Sequence, residues 1–268
     1  LPQVRDYKHM LQLMNVIMTH APEFNKSGLV GCPFNAIFDW SMATKQGWAG
    51  FLDDKVNMHL KEVLNEWGRF LCSPDSAHVL NNDPRSGWFG SDAMALMPNF
   101  ASEFQCEPDL PNYGYKSWDD FFTRNLREGA RPVAEPENDA VVINACESAP
   151  YRISRNVKLR DEFWIKAQPY ALQFMMDNDP LVSKFVGGTV YQAFLSALSY
   201  HRWHAPVSGR VVKTRLIEGT YYSETLSVSV DASGPDLSQA YIAEIATRGL
   251  VFIEADNKDI GLMCFMAI

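Results

Sequence analysis

The spacing of apolar residues changes near residue 130, and this change limits the fold more than any other feature of the sequence. In residues 53–71, apolar side chains recur every three or four positions, which is typical of an amphipathic helix with one buried face. Residues 5–19 have the same spacing. Two shorter helices are predicted, one after Ser91 and ending before Pro98, the other opened by Ser117, which can cap its first turn. The first part of the chain is therefore predicted to be helical.

Beyond Pro132 the chain consists of short runs rich in β-branched and aromatic residues, separated by clusters of Gly, Pro, Asn and Asp. This pattern is typical of β-strands joined by turns. The predicted strands are residues 141–143, 188–195, 209–216, 227–230, 250–254 and 260–268. A lone helix is predicted at 170–176, and a surface loop at 231–239. We expect an α+β fold in which a helical N-terminal layer covers a β-rich, mixed C-terminal core.

Composition excludes several classes of function. The 268 residues include 24 Lys and Arg against 32 Asp and Glu, a formal net charge of −8 without a basic stripe, so nucleic-acid binding is not expected. No apolar run approaches the 18 residues needed to span a bilayer, and the first ten residues lack a signal-peptide pattern. We expect no stable membrane anchor and a cytoplasmic location. The five cysteines are scattered and contain no C-x-x-C pair, which favours neither a zinc site nor a disulfide framework: Cys32, Cys72, Cys106, Cys146 and Cys264.

Two of the six histidines are candidates for catalysis. His201 and His204 lie three residues apart where an apolar run reaches a turn, whereas the other four occur singly and are expected to be structural or at the surface. Histidine titrates near neutral pH and is therefore the natural proton carrier of an active site. The same spacing would allow a metal site, but without further Cys or His nearby no metal is predicted.

A carboxylate, Glu147, follows the predicted strand at 141–143. A carboxylate at a strand end can orient a histidine as the third member of a catalytic triad, although the residues alone favour an acid in a surface turn. The neighbouring Cys146 could be a thiol nucleophile, but no motif supports it. The sequence contains no G-x-S-x-G, phosphate-binding loop or G-x-G-x-x-G motif.

Two motifs resemble those of the pyruvoyl-dependent phosphatidylserine decarboxylase family. Residues 119–133 (DDFFTRNLREGARPV) are similar to its F-F-x-R-x-L-x-x-x-x-R-P signature, and residues 200–209 (YHRWHAPVSG) to its Y-H-R-x-H-x-P-x-x-G motif. Residues 219–223 (GTYYS) follow at the matching place. The resemblance covers residues 113–268, which it identifies as a catalytic domain.

Further segments resemble one branch of this family, the fungal psilocybin-pathway L-tryptophan decarboxylases. They are residues 145–148 (ACES), 178–180 (NDP) and 252–258 (FIEADNK). Residues 67–71 (WGRFL) and 87–88 (GW) resemble the N-terminal extension of that branch, so residues 1–112 are expected to form such an extension.

The resemblance implies a proenzyme that cuts itself between a Gly and a Ser. The Ser becomes a covalent pyruvoyl group at the start of a small α chain, and the larger β chain supplies the rest of the site. No segment here resembles the cleavage signature. The chain is therefore expected to correspond to the β chain, its fold to be completed by an α chain from the same proenzyme, and pyridoxal phosphate not to be required.

The resemblance also implies roles for individual residues. His204 matches the base that activates the Ser in self-cleavage, and Glu147 stands where the family has the Asp that partners this histidine. His201 matches the histidine of the decarboxylation step, in which it is expected to donate a proton. Tyr222 and Ser223 match positions that line the substrate pocket.

The expected reaction is the decarboxylation of an aromatic L-amino acid, with L-tryptophan giving tryptamine. Two alternatives remain open. One is decarboxylation of phosphatidylserine to phosphatidylethanolamine, although the chain shows no basic amphipathic helix or apolar anchor for a lipid surface. The other is a non-catalytic relative that binds a ligand, which the replacement of the family's Asp by Glu147 suggests.

Overall fold

Helices dominate the first half of the chain and two small antiparallel sheets the second, in a computed structural model that describes residues 4–26, 32–160, 170–226 and 238–268. The expected mixture of helices and strands is confirmed. The helices are α1 (Tyr7–Ile17), α2 (Pro33–Met42), α3 (Lys45–Phe51), α4 (Asp54–Leu71), α5 (Ser91–Met94), α6 (Phe100–Glu103), α7 (Trp118–Phe122), α8 (Leu172–Met175) and α9 (Gln239–Ile245). The strands are β1 (Ala149–Arg155), β2 (Thr189–Phe194), β3 (Gly209–Ile217), β4 (Arg248–Ala255) and β5 (Leu262–Ala267).

Helix α4 follows the predicted pattern closely. The Asp53 side chain accepts hydrogen bonds from the first backbone amides of the helix and so satisfies donors that have no partner within it. Leu60, Trp67 and Leu71 are buried along one face. Val56, which the spacing placed on the same face, is exposed instead. The buried position in that turn belongs to Asn57, whose amide donates to two backbone carbonyls.

The largest core cluster joins the helical layer to the second half of the chain. It is built mainly from aromatic side chains of the helices and their connections, with Trp88 fully buried and its indole N–H donating to the carbonyl of Pro22 at 2.7 Å. Tyr200, from the second half, lies in the same cluster and is 5% exposed. Burial of its ring therefore fixes the motif at 200–209 against the helical layer.

The two sheets are separate. Strands β1 and β2 pair in one sheet, and β3, β4 and β5 form the other in that order, all antiparallel. Because β4 is central, it carries the best-buried large side chains of the sheet, Leu250 and Phe252. They pack with Ile217 of β3 and Met176, which follows α8.

Some local predictions differ from the structure. Residues 141–143 are not a strand, because the segment pairs with other backbone only through single hydrogen bonds such as that from the Ile143 amide to the Pro206 carbonyl. Strand β1 and helices α2, α3, α6 and α9 were not predicted, and α9 begins at Gln239, where a loop was expected. The predicted strand at 227–230 and most of the predicted loop at 231–239 lie outside the described residues.

Candidate active site

Two backbone hydrogen bonds bring the predicted carboxylate to the predicted histidines. The amide of His204 donates to the carbonyl of Ala145 at 2.8 Å, and the amide of Ile143 donates to the carbonyl of Pro206 at 2.9 Å. The chain before Glu147 therefore runs alongside the chain after His204. The two segments flagged in the sequence form one cluster.

His204 has an exposed side chain with one well-defined partner. Its Nε2 lies 2.9 Å from the hydroxyl of Tyr200, and the two rings stack with their centroids 5.5 Å apart. The buried tyrosine ring holds the hydroxyl in place, so the hydrogen bond orients the imidazole. An exposed, oriented imidazole is suited to accept a proton from a group that approaches from outside this cluster.

His201 lies in a different environment. Its ring stacks on that of Phe122 at a centroid distance of 3.8 Å, and its Nε2 lies 3.0 Å from the carbonyl oxygen of Ser196. Since a carbonyl only accepts, Nε2 carries the hydrogen and Nδ1 keeps its lone pair. Burial, helped by the positive charge of Arg124, lowers the pKa of His201 to about 4. The ring is neutral at physiological pH in this state of the protein.

Glu147 contacts the histidine segment through the backbone. Its Oε2 accepts a hydrogen bond from the amide of Tyr200 at 2.6 Å and lies 2.9 Å from a guanidinium nitrogen of Arg131. Among the described residues, no hydrogen bond or ion pair joins Glu147 to His204. The carboxylate is close to the base but is connected to it through Tyr200, and its role as the partner of His204 stays a prediction.

A cavity of about 190 Å³ lies beside this cluster. Two arginines and two glutamates line it, Arg124, Arg131, Glu103 and Glu147, so its formal charges balance. Arg131 bridges both carboxylates. A larger, open cavity of about 630 Å³ lies along β3 and β4 and is lined by none of the predicted site residues.

Tyr222 and Ser223 pack towards other elements. The Tyr222 ring lies 5.0 Å from that of Phe38 in α2, and burial raises the pKa of its hydroxyl. The Ser223 hydroxyl lies 3.0 Å from that of Tyr241 in α9. Tyr222 therefore packs against the helical layer and Ser223 against α9. Among the described residues, no hydrogen bond or ring contact joins either of them to His201 or His204, and their role in substrate binding stays a prediction.

The thiol of Cys146 has no hydrogen bond to a histidine or carboxylate among the described residues. Cys146 is a free, half-buried cysteine. Across the parts of the chain that the structure describes, no group of three or more His, Cys, Asp or Glu side chains is arranged to hold a metal ion. Within the same parts, no helix has the length and apolar character needed to cross a membrane.

Sequence reasoning missed four residues that shape the site: Tyr200, Arg131, Arg124 and Phe122. All four lie within the two motifs quoted above. The motifs could identify them as candidates, but no local pattern indicates that Tyr200 binds His204 or that Phe122 stacks on His201.

Comparison with protein families decides the relationship. Two models of phosphatidylserine decarboxylase match the chain, one over residues 1–97 and the other over residues 118–268. The second covers more than half of the chain. The chain belongs to the phosphatidylserine decarboxylase family. The histidine cluster, Glu147 and both arginines of the cavity lie within the second matched region.

Several curated members of this family are similar over most of the chain. The decarboxylase iboD of Amanita muscaria is 39% identical over 260 residues, which are 89% of this chain and 73% of that protein. The L-tryptophan decarboxylases of Psilocybe cubensis and Psilocybe cyanescens are 36% and 37% identical, over 98% and 95% of this chain. The matches span 64% and 62% of those two enzymes, slightly less than two thirds of their length. Proenzymes of phosphatidylserine decarboxylase match over shorter stretches, for example 26% identity over 60% of the chain for one from Schizosaccharomyces pombe.

Proposed function

We propose that this chain is the β-chain part of a pyruvoyl-dependent decarboxylase that converts an aromatic L-amino acid, L-tryptophan, to its amine, tryptamine. One observation carries the proposal: hydrogen bonds join Glu147, Tyr200 and His204, with His201 next to Tyr200 in the chain, inside the region matched by the decarboxylase family. The choice of substrate is supported by two relatives named as L-tryptophan decarboxylases that align with nearly the whole chain. The shorter matches to phosphatidylserine decarboxylases support the reaction class but not a lipid substrate.

The proposal includes a division of the chain and a partner. Residues 1–112 are an N-terminal extension and residues 113–268 the β-chain part of the catalytic domain. The separate family models, which end at 97 and begin at 118, support a boundary between them. The partner is an α chain cut from the same proenzyme, and the location is the cytoplasm.

His204 is proposed as the base of self-cleavage. Cleavage requires a Ser hydroxyl to attack the preceding carbonyl, and a base must remove the hydroxyl proton. His204 is exposed and oriented by Tyr200, which suits that task. Glu147 holds the backbone of Tyr200 and therefore supports the orientation of the base.

The side chains of the cluster fit a pyruvoyl group on a neighbouring chain. The hydrogen-bonded pair of Tyr200 and His204 leaves one hydrogen, on the tyrosine hydroxyl or on Nδ1 of the imidazole, that can be donated to a carbonyl oxygen. Nδ1 of His201 becomes a donor only when that ring is protonated, because Nε2 already donates to Ser196. When bound, such a group supplies an electron-withdrawing carbonyl, which accepts the electrons left by loss of carbon dioxide. His201 is proposed to donate the proton that takes the place of the lost carboxylate on the substrate carbon. A substrate carboxylate beside this neutral imidazole raises its pKa, so that it takes up that proton on substrate binding.

The proposal is tested on the protein expressed from its complete gene. Denaturing intact mass should reveal two chains, the smaller with a mass that fits a pyruvoyl N-terminus and shifts on treatment with a carbonyl reagent. Amine formation is then measured with L-tryptophan, L-tyrosine, L-phenylalanine and vesicles containing phosphatidylserine. Tryptamine as the main product supports the proposal. A single uncleaved chain without activity favours a ligand-binding relative, and ethanolamine-lipid formation favours the lipid reaction.

A further inference from the structure

Arg124 is a buried arginine that binds the backbone just before the histidines. It follows α7 and is 2% exposed. One of its terminal nitrogens donates to the carbonyl oxygens of Leu198 and Ser199, both at 2.9 Å. The other donates to the carbonyl of Phe121 at 3.3 Å. The side chain therefore connects the end of α7 to a segment more than 70 residues away.

Among the residues that the structure describes, no carboxylate forms an ion pair with Arg124, although the charge of Glu147 acts on it. Its guanidinium lies over the ring of Phe104, with the central carbon 4.4 Å from the ring centroid, and its Nε has no hydrogen-bond partner among the described residues. Burial lowers its pKa to about 10. Burying a cation is unfavourable unless its donors are used. An apolar side chain could fill the same space without the desolvation penalty of a buried cation, so packing alone does not explain an arginine here.

Neighbours of Arg124 contact the same histidine segment. Phe122 stacks on His201 at 3.8 Å. The Nε of Arg202, immediately after His201, donates to the carbonyl of Thr123 at 2.7 Å. Residues 121–124 therefore hold the chain on both sides of His201, and the contacts of Arg124 are the most deeply buried of this set.

We propose that Arg124 is a positioning residue for the active site: by holding the carbonyls of Leu198 and Ser199 it fixes the backbone that carries Tyr200, His201 and His204. The reaction that this positioning serves rests on the proposed function. The contacts themselves are a property of this chain. The forked guanidinium holds the carbonyl of Phe121 with one terminal nitrogen and those of Leu198 and Ser199 with the other, whereas the ammonium of a lysine is a single point donor on a more flexible stem and cannot hold both ends at once.

The positive charge has a second consequence. Arg124 adds to burial in keeping His201 neutral, because a nearby cation disfavours the imidazolium form. A change at Arg124 should therefore alter the protonation of His201, which can be observed without any enzymatic assay.

The chain offers a matched control. Arg248 is also buried, 4% exposed, and also donates to three backbone carbonyls, those of Phe174, Met175 and Ala246. These carbonyls lie in and around α8 and α9, outside the histidine segment. Replacing Arg248 should lower the melting temperature about as much as replacing Arg124. It should not change the protonation of His201 or the rate of self-cleavage.

The experiment compares Arg124→Met, Arg124→Lys and Arg248→Met in the full-length protein. The protonation of His201 is followed by NMR with labelled histidine and assigned with a His201→Gln variant, alongside self-cleavage rates, kcat and KM for L-tryptophan, and melting temperatures. Both Met variants should melt earlier. Only Arg124→Met should let His201 protonate at higher pH and slow cleavage at least about tenfold, the scale expected for a misplaced catalytic group. Arg124→Lys should keep His201 neutral, because the charge remains, but should still slow cleavage.

Two results would overturn the proposal: equal effects of the two Met variants on His201 and on cleavage, or cleavage of Arg124→Lys at the parental rate. The second result decides the matter even if Arg124→Met does not fold. If the parent protein neither cleaves nor decarboxylates, the proposed function fails. The NMR comparison between Arg124→Met and Arg248→Met then still decides whether Arg124 sets the state of His201.

Discussion

The hydroxyl of Tyr200 lies 2.9 Å from Nε2 of His204, while the amide of the same tyrosine donates to Glu147 at 2.6 Å. One residue therefore connects the carboxylate to the imidazole, with its backbone on one side and its side chain on the other. The tyrosine is buried, so neither contact can shift without disturbing the core.

Replacing Tyr200 by Phe tests whether the hydroxyl orients His204. The variant keeps the aromatic ring and the hydrogen bond from the backbone amide to Glu147. It removes the hydroxyl that binds Nε2 of His204. We expect self-cleavage to slow by about 10- to 100-fold, the range for a catalytic base that loses its orientation. Cleavage is followed by separating the two chains over time. Tyr191→Phe, an exposed tyrosine on β2, is the control, and equal rates for both variants would remove the hydroxyl from the mechanism.

Changes at Glu147 separate its charge from its hydrogen bond. Glu147→Ala removes the acceptor of the Tyr200 amide and the ion pair with Arg131, and should block or greatly slow self-cleavage. Glu147→Gln keeps an acceptor oxygen, so it should retain more cleavage than the Ala variant if the carboxylate acts through the backbone. Equal loss in both would instead show that the negative charge is required.

A suitable control for Glu147 is Glu254→Ala. This carboxylate forms an exposed ion pair with Arg210, and such pairs contribute at most about 1 kcal/mol. We expect normal cleavage and little change in melting temperature. Normal cleavage in Glu147→Ala itself would refute the assignment of Glu147 to processing.

The two histidines should have separable roles. His204→Ala should remain a single chain, because the proposed base is absent. His201→Ala should cleave but lose most decarboxylation, by about 100-fold or more if it donates the proton. Intact mass and tryptamine formation measure the two steps independently, and the exposed His59→Ala serves as control. Parental turnover in His201→Ala would remove its proton-donor role.

Glu244 in α9 should make stability depend on pH. Burial raises its pKa to about 7, although its side chain accepts a hydrogen bond from the Ala171 amide at 2.9 Å. Its pKa in the unfolded chain is about 4.3. Between about pH 4.5 and 7 the folded protein therefore binds more protons than the unfolded chain, and stability falls as the pH rises, by about 2–3 kcal/mol in total.

Glu244→Gln isolates this effect, because the amide keeps the acceptor but cannot ionise. The variant should match the parent near pH 5 and melt at a higher temperature at pH 8. Melting temperatures of the parent and the variant at both pH values measure this difference, with Glu254→Gln as an exposed control. A parent and variant with the same pH dependence would contradict the expectation.

Local patterns predicted the elements whose stability is local. Helix α4 was predicted almost to the residue because its cap at Asp53 and its apolar face are encoded in consecutive turns. The capping role of Ser117 is also confirmed, since its hydroxyl accepts from the Asp120 amide. Helix α9 and strand β1 were not predicted. All but one of the β1 residues are exposed, and β1 forms through its pairing with β2, which no local spacing reveals.

The sequence by itself determined the helical and β-rich halves, the family resemblance and the candidate residues Glu147, His201 and His204. Only the tertiary structure decided how these residues meet. Glu147 and Tyr200 are 53 positions apart, and Arg124 and Leu198 are 74 apart. Hydrogen bonds over such separations form only after burial of the aromatic core brings the segments together, so periodicity, which reports a few neighbouring turns, carries no information about them.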